Sequence, residues 1–175
     1  MRPQVQLTTA VKSLLGAIEA LYKYSKAAKG SLPAKVVDRL VEQHGWYGKQ
    51  ALGLLCARRV LPADTAESSA RGLLTIVYES CCRWEKGGDG KYHESRRVIL
   101  PEVSVVKCLH DTISEGGSDG ITVEFAVMAV TALADLQSDT LVHQALAMLF
   151  ALDYIHFTGD SVFNLRFADG GIVGR

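Results

Sequence analysis

Residues 145–167, ALAMLFALDYIHFTGDSVFNLRF, decide the fold. An unbroken apolar run, Ala145–Leu152, leads into two short segments separated by Gly159 and Asp160. The run extends back to Leu141 and reads as a helix, with Ser138 as its cap; Tyr154–Thr158 and Val162–Phe167 read as the strands of a hairpin. A wholly apolar stretch of this length is too short to cross a bilayer. A two-residue turn would leave apolar residues on both faces of the hairpin. A three-residue loop, Gly159–Ser161, pairs Ile155 with Leu165 and Phe157 with Phe163, and sends His156, Asn164 and Arg166 outward. Burial of one face fixes register, so the three-residue loop is expected, although the glycine would sit more naturally last in it.

Upstream, Pro101 opens a helix carrying Val105, Val106, Leu109 and Ile113, and Gly116–Gly120 closes it. Thr122 caps the next helix, with Phe125, Ala126, Ala129, Val130 and Leu133 expected on its inner side. Three helices followed by a hairpin is the winged-helix order, a helix-turn-helix variant.

The first half is helical. Val11, Leu14, Leu15, Ile18, Leu21 and Tyr22 recur at helical spacing over Thr8–Ala28, with Thr8 or Thr9 as cap and Gly30 as stop. A short helix follows from Pro33 to Gly45. A third, Tyr47–Arg59, turns Leu52, Leu55 and Cys56 inward. Asp64 or Thr65 caps a fourth, whose positions Leu73, Leu74, Val77, Tyr78, Cys81 and Trp84 keep the interval to Lys86. Gly87–Arg97, GGDGKYHESRR, reads as a loop or linker. The expected fold is therefore mainly α: a helical module over 1–86, a linker over 87–97, and a winged-helix-like module over 98–175 with one C-terminal β-hairpin.

With 175 residues, 48% apolar and 22% charged, the chain can build one core or two compact modules. Its start lacks a secretory pattern and no window reaches membrane-span length, so a cytoplasmic location without membrane association is expected. Cys56, Cys81, Cys82 and Cys108 then read as reduced core thiols, since only Cys81 and Cys82 are close and metal-binding pairs stand two to four residues apart.

A formal net charge of zero hides a division. Residues 1–107 hold 17 Lys and Arg against 10 Asp and Glu; residues 108–165 hold none against 8. Such asymmetry suggests two faces with different partners, or modules attracted to each other.

No phosphate loop, dinucleotide fingerprint, HExxH or GxSxG occurs. Gly87-Gly88-Asp89-Gly90 follows no expected strand, so it lacks the context of a phosphate cradle. The histidines are scattered; His110 and Asp111 beside Glu115, or Asp153 with His156, are helix neighbours of a kind that arises by chance. The expectation is no enzyme, no cofactor and no metal.

The candidate recognition helix, Ser138–Asp153, contains no basic residue, and DNA phosphates would repel its acidic ends. Because apolar residues cover more than one side of it, it is either core or interface. Taken as interface, its partner-binding residues are Leu141, Leu146, Met148, Leu149, Phe150 and Tyr154. The candidate nucleic-acid contacts are Lys23, Lys26, Lys29, Lys35, Arg39, Arg58 and Arg59, in a surface that equally suits an acidic partner.

Residues 123–167, above all the stretch quoted first, resemble the helix-into-hairpin end of small winged-helix subunits that accompany ABC-type or SMC-like ATPases. The nearest are the middle subunits of bacterial three-component systems, including Lamassu anti-phage defence. The likeness covers about the last 70 residues and rests on no diagnostic motif. It implies an accessory subunit bridging an SMC-like ATPase and an effector, with no catalytic residues to carry over. The expected function is thus a non-enzymatic assembly or adaptor subunit docking on a larger protein. The alternatives are a DNA-binding winged-helix regulator using the basic half, and a small enzyme with a dispersed site.

Overall fold

The computed structural model describes residues 3–56, 68–81, 83–96 and 99–165. These form two compact units, one of residues 1–59 with 81–98, the other of 60–80 with 99–175.

The first unit begins with α1 (Leu7–Ala27), which buries Ala10, Val11, Leu14, Ala17, Ile18, Leu21 and Ser25 at three- and four-residue intervals. Gln6 is its N-cap and no side chain caps it, so neither Thr8 nor Thr9 serves. Its end is a Schellman turn: Gly30 N–H donates to Ser25 O at 2.7 Å and Lys29 N–H to Lys26 O at 3.2 Å. Lys29 occupies the left-handed position, at φ 58°. The chain continues through β1 (Ser31–Pro33), α2 (Ala34–His44) and α3 (Trp46–Cys56). In α3 the buried apolar side is Ala51, Leu54 and Leu55, turned away from the expected Leu52 and Cys56. A Cβ on Gly48 would lie 2.6 Å from Val41 O and 2.9 Å from Val41 Cα, so glycine lets α2 and α3 approach closely.

The expected fourth helix and linker differ from the structure. The helix α4 ends at Glu79 (Ser68–Glu79) and belongs to the second unit. Trp84 lies instead on β2 (Trp84–Lys86), buried in the first unit with its ring edge-on to Tyr22 at 6.0 Å. Gly87–Arg97 contains β3 (Lys91–Glu94), which pairs antiparallel with both β1 and β2. Gly87-Gly88-Asp89-Gly90 therefore does follow a strand, and it turns a hairpin. Gly90, at φ 77°, takes the left-handed position that ends a three-residue loop. Glycine and charge read as a linker because the pairing partner, β1, lies some sixty residues upstream. The expected caps Asp64 and Thr65 fall outside the described residues.

The second unit holds α5 (Val103–Ser114), a 3-10 turn (Gly117–Asp119), β4 (Ile121–Thr122), α6 (Val123–Leu133), α7 (Thr140–Ala151), β5 (Ile155–Thr158) and β6 (Ser161–Asn164). Thr122 caps α6 as expected, its hydroxyl accepting from Phe125 N–H at 3.1 Å. Asp139 is the N-cap of α7, and the Ser138 hydroxyl accepts from Thr140 N–H at 3.4 Å. The unit's strands form a three-stranded antiparallel sheet in the order β4-β6-β5, with β4 added to the expected hairpin.

The hairpin register is corrected. Ile155 pairs with Asn164, Phe157 with Val162 and Thr158 with Ser161, leaving a two-residue turn at Gly159 and Asp160. Gly159, at φ 61°, fits the first central position of a II′ turn. Inward-facing positions are Ile155, Phe157, Val162 and the polar Asn164, and the rings of His156 and Phe163 meet on the other face at 5.3 Å. The pairing expected from apolar alternation assumed that no amide would point inward. Asn164 does so because its Nδ2 donates to the Ser114 hydroxyl at 2.6 Å.

Both units share one order of elements: helix, strand, helix, helix, strand, strand. In both, the third strand lies between the other two. The first unit differs in that the chain leaves it after α3 and returns at β2; the excursion carries α4, whose Tyr78 packs edge-on against Phe150 of α7 at 6.0 Å.

Candidate functional site

Two apolar helices of the second unit compete for the role of docking surface, and burial separates them. In α7, Val142, Ala145, Leu146, Ala147, Met148 and Leu149 are fully enclosed, Phe150 is buried, and even Gln144 is enclosed, its Nε2 donating to Ser80 O at 3.2 Å. A helix apolar all round belongs at the centre of a unit. The partner-binding assignment of Leu146, Met148, Leu149 and Phe150 is therefore corrected: these side chains are core and present nothing to a partner. Leu141 and Tyr154 are half-buried, with Tyr154 edge-on to His110 at 5.7 Å.

The helix α6, VEFAVMAVTAL, is at least as apolar as α7, yet one side of it is exposed. It buries Val123, Ala126, Val127 and Val130. Phe125, Met128 and Leu133 are 56%, 63% and 71% exposed, and Ala132 is exposed between them. At 100° per residue Phe125, Met128, Ala132 and Leu133 share one arc, with Glu124 at its edge. Surface helices normally carry polar residues there. The expected inner positions Phe125 and Leu133 thus face out, because periodicity cannot choose a face when every face is apolar. Asp119, Asp135 and Asp139 are also exposed in this unit, and 108–165 contains no Lys or Arg to offset them. No protein-family model, curated protein or solved structure matches this chain.

Carboxylates interleave the candidate nucleic-acid residues of α1 and α2. Lys23, Lys26, Lys29, Lys35 and Arg39 are all exposed. On α1, Glu19 shares the stripe of Lys12, Lys23 and Lys26, while on α2 Asp38 and Glu42 stand among Lys35 and Arg39. Arg58 and Arg59 lie outside the described residues, as do Cys82, Arg166 and Phe167.

One cation that the spacing of the sequence does not single out is Arg83. It is 4% exposed, with its guanidinium carbon 4.0 Å from the centre of the Tyr22 ring and its Nη2 donating to Glu94 Oε1. Burial pushes the Tyr22 phenol up to about 12, partly offset by the Arg83 charge.

Cys56, Cys81 and Cys108 are in no disulfide among the described residues. Among the described residues no three His, Cys, Asp or Glu side chains group as metal ligands, and no helix is long and apolar enough to cross a membrane.

Proposed function

We propose that the chain is a non-enzymatic assembly subunit built of two winged-helix units, which docks on a larger protein through the uncovered side of α6. The shared element order and the strand order of both sheets support the winged-helix reading. The observation that carries the docking reading is the exposed row Phe125, Met128 and Leu133 in a segment without a single cation. Burying such side chains contributes about 1.5–3 kcal/mol each, gross of the cost of association. The surrounding carboxylates select a partner segment with an apolar face and basic edges. The resemblance of residues 123–167 to accessory subunits of three-component systems names the class of partner: an SMC-like ATPase in an anti-phage complex.

The test compares wild type with Met128→Glu in purification from the native host, alongside titration of each purified protein with duplex DNA at two salt concentrations. Assembly requires a protein recovered in stoichiometric amount with wild type and lost with Met128→Glu, together with weak duplex binding by the chain alone. The exposed lysines of the first unit favour a second reading, a DNA-binding regulator. That reading requires tight duplex binding with a steep salt slope, unaffected by Met128→Glu.

A further inference from the structure

The first unit contains a cleft of about 650 Å³ lined by Tyr22, Lys26, Lys29, Gly30, Arg83, Glu94, Ser95 and Arg96. Three separate pieces of chain build it: the end of α1, the residue ahead of β2, and the chain leaving β3. Four cations meet one carboxylate there. The volume lies within the range of small-molecule sites, roughly 300–1,000 Å³.

The bland explanation is that Lys26 and Lys29 merely serve the negative end of α1. Backbone hydrogen bonds already do that work, because Tyr24 O, Ser25 O and Lys26 O accept from Ala28, Gly30 and Lys29 N–H. Among the described residues no ion pair includes Lys26 or Lys29, and Glu94 is the one carboxylate in the cleft lining. Glu94 receives the buried Arg83, which is fixed further by the Tyr22 face beneath it. Ser95 N–H donates to Arg83 O, which sets the course of the chain into Arg96. Arg83 and Glu94 therefore form an internally matched pair, and the exposed Lys26 and Lys29 add positive charge beside it.

We propose that this cleft binds the phosphate or diphosphate group of a nucleotide-sized ligand, with Lys26, Lys29 and Arg96 as the binding cations and Arg83 as the fixed base of the site. A concave group of cations suits a compact polyanion, whereas a nucleic-acid backbone needs a run of positive charge, and Glu19 interrupts the only such run on α1. The site is independent of the α6 surface, so the two can fail separately.

The test is calorimetric titration of the full chain at low salt with ADP, with inorganic phosphate and with a short DNA duplex. It is repeated on the double variant Lys26→Ala/Arg96→Ala and on Lys12→Ala, a control outside the cleft. ADP is expected to bind at submillimolar concentration, phosphate to compete with it, and the double variant to weaken binding by at least about tenfold while Lys12→Ala leaves it unchanged. Phosphate binding as tightly as ADP would support the same site and make the free anion its ligand. Absence of ADP and phosphate binding at millimolar concentration overturns the proposal. So does equal binding by wild type and the double variant, an equal loss in Lys12→Ala, or binding of the duplex alone.

Discussion

The side-chain amide of Asn164 donates to the hydroxyl of Ser114 at 2.6 Å, tying the inward face of β6 to the last turn of α5 across 50 residues of chain. Ser114 in turn donates to His110 O at 2.7 Å, so the hydroxyl is used as both acceptor and donor. Removing the acceptor strands a buried amide: Ser114→Ala is expected to cost about 1–3 kcal/mol. Adding Asn164→Leu should recover part of the loss, because an apolar pair leaves no unmet donor. Urea unfolding of the single and double variants measures this, and a cost for Ser114→Ala below about 0.5 kcal/mol would show that the bond does not fix the register.

Two glycines of α3 should respond with opposite signs. Gly48→Ala drives a Cβ into the Val41 backbone and is expected to destabilise by about 1–3 kcal/mol. At Gly53 a Cβ meets nothing within 4 Å, so Gly53→Ala should stabilise by up to about 1 kcal/mol through helix propensity. Thermal unfolding of the pair decides it.

Lys29 holds a left-handed conformation that glycine adopts without penalty. Lys29→Gly is expected to raise stability by about 1 kcal/mol while lowering affinity for a phosphate probe. Stability and binding moving together in this variant would contradict the account of the cleft.

Core and surface in the second unit separate in a stability scan. Leu146→Ala should cost about 2–5 kcal/mol, whereas Met128→Lys and Leu133→Gln should stay within about 0.5 kcal/mol of wild type. Comparable losses at all three positions would place the outer side of α6 in a core.

The carboxylate of Asp89 accepts Lys91 N–H at 3.0 Å and lies 3.0 Å from His93 Nε2. The backbone hydrogen bond first, then His93, holds its pKa below the ordinary 3.8. A depressed folded-state value means that the contribution to the hairpin is present above the unfolded pKa and is lost as pH falls through the folded one. The Lys91 amide resonance should therefore titrate with a midpoint below 3.8, and Asp89→Asn should abolish that titration.

Local chemistry made much of this molecule legible in its sequence. The buried stripes of α1 and α5, the Thr122 cap and the separation of charge follow from residue spacing and hydrogen-bonding capacity, which need no distant partner. The exposed apolar side of α6 is less legible. The apolar run of α7 is the more continuous in sequence, whereas the exposed row Phe125, Met128 and Leu133 carries no signal beyond a helix with too few polar residues.

What the sequence determined by itself is the helical character of α1, α5, α6 and α7, because helix periodicity acts within a few residues. Tertiary packing alone decided which side of α6 stays bare and which helix fills the core, since an all-apolar helix has no preferred face until neighbours cover it. It also decided that a glycine-rich charged stretch becomes strand β3, that Asn164 turns inward, and that Arg83 settles on Tyr22. Each of those outcomes depends on a partner far away in the chain, and the energy of such a contact is absent from any local window.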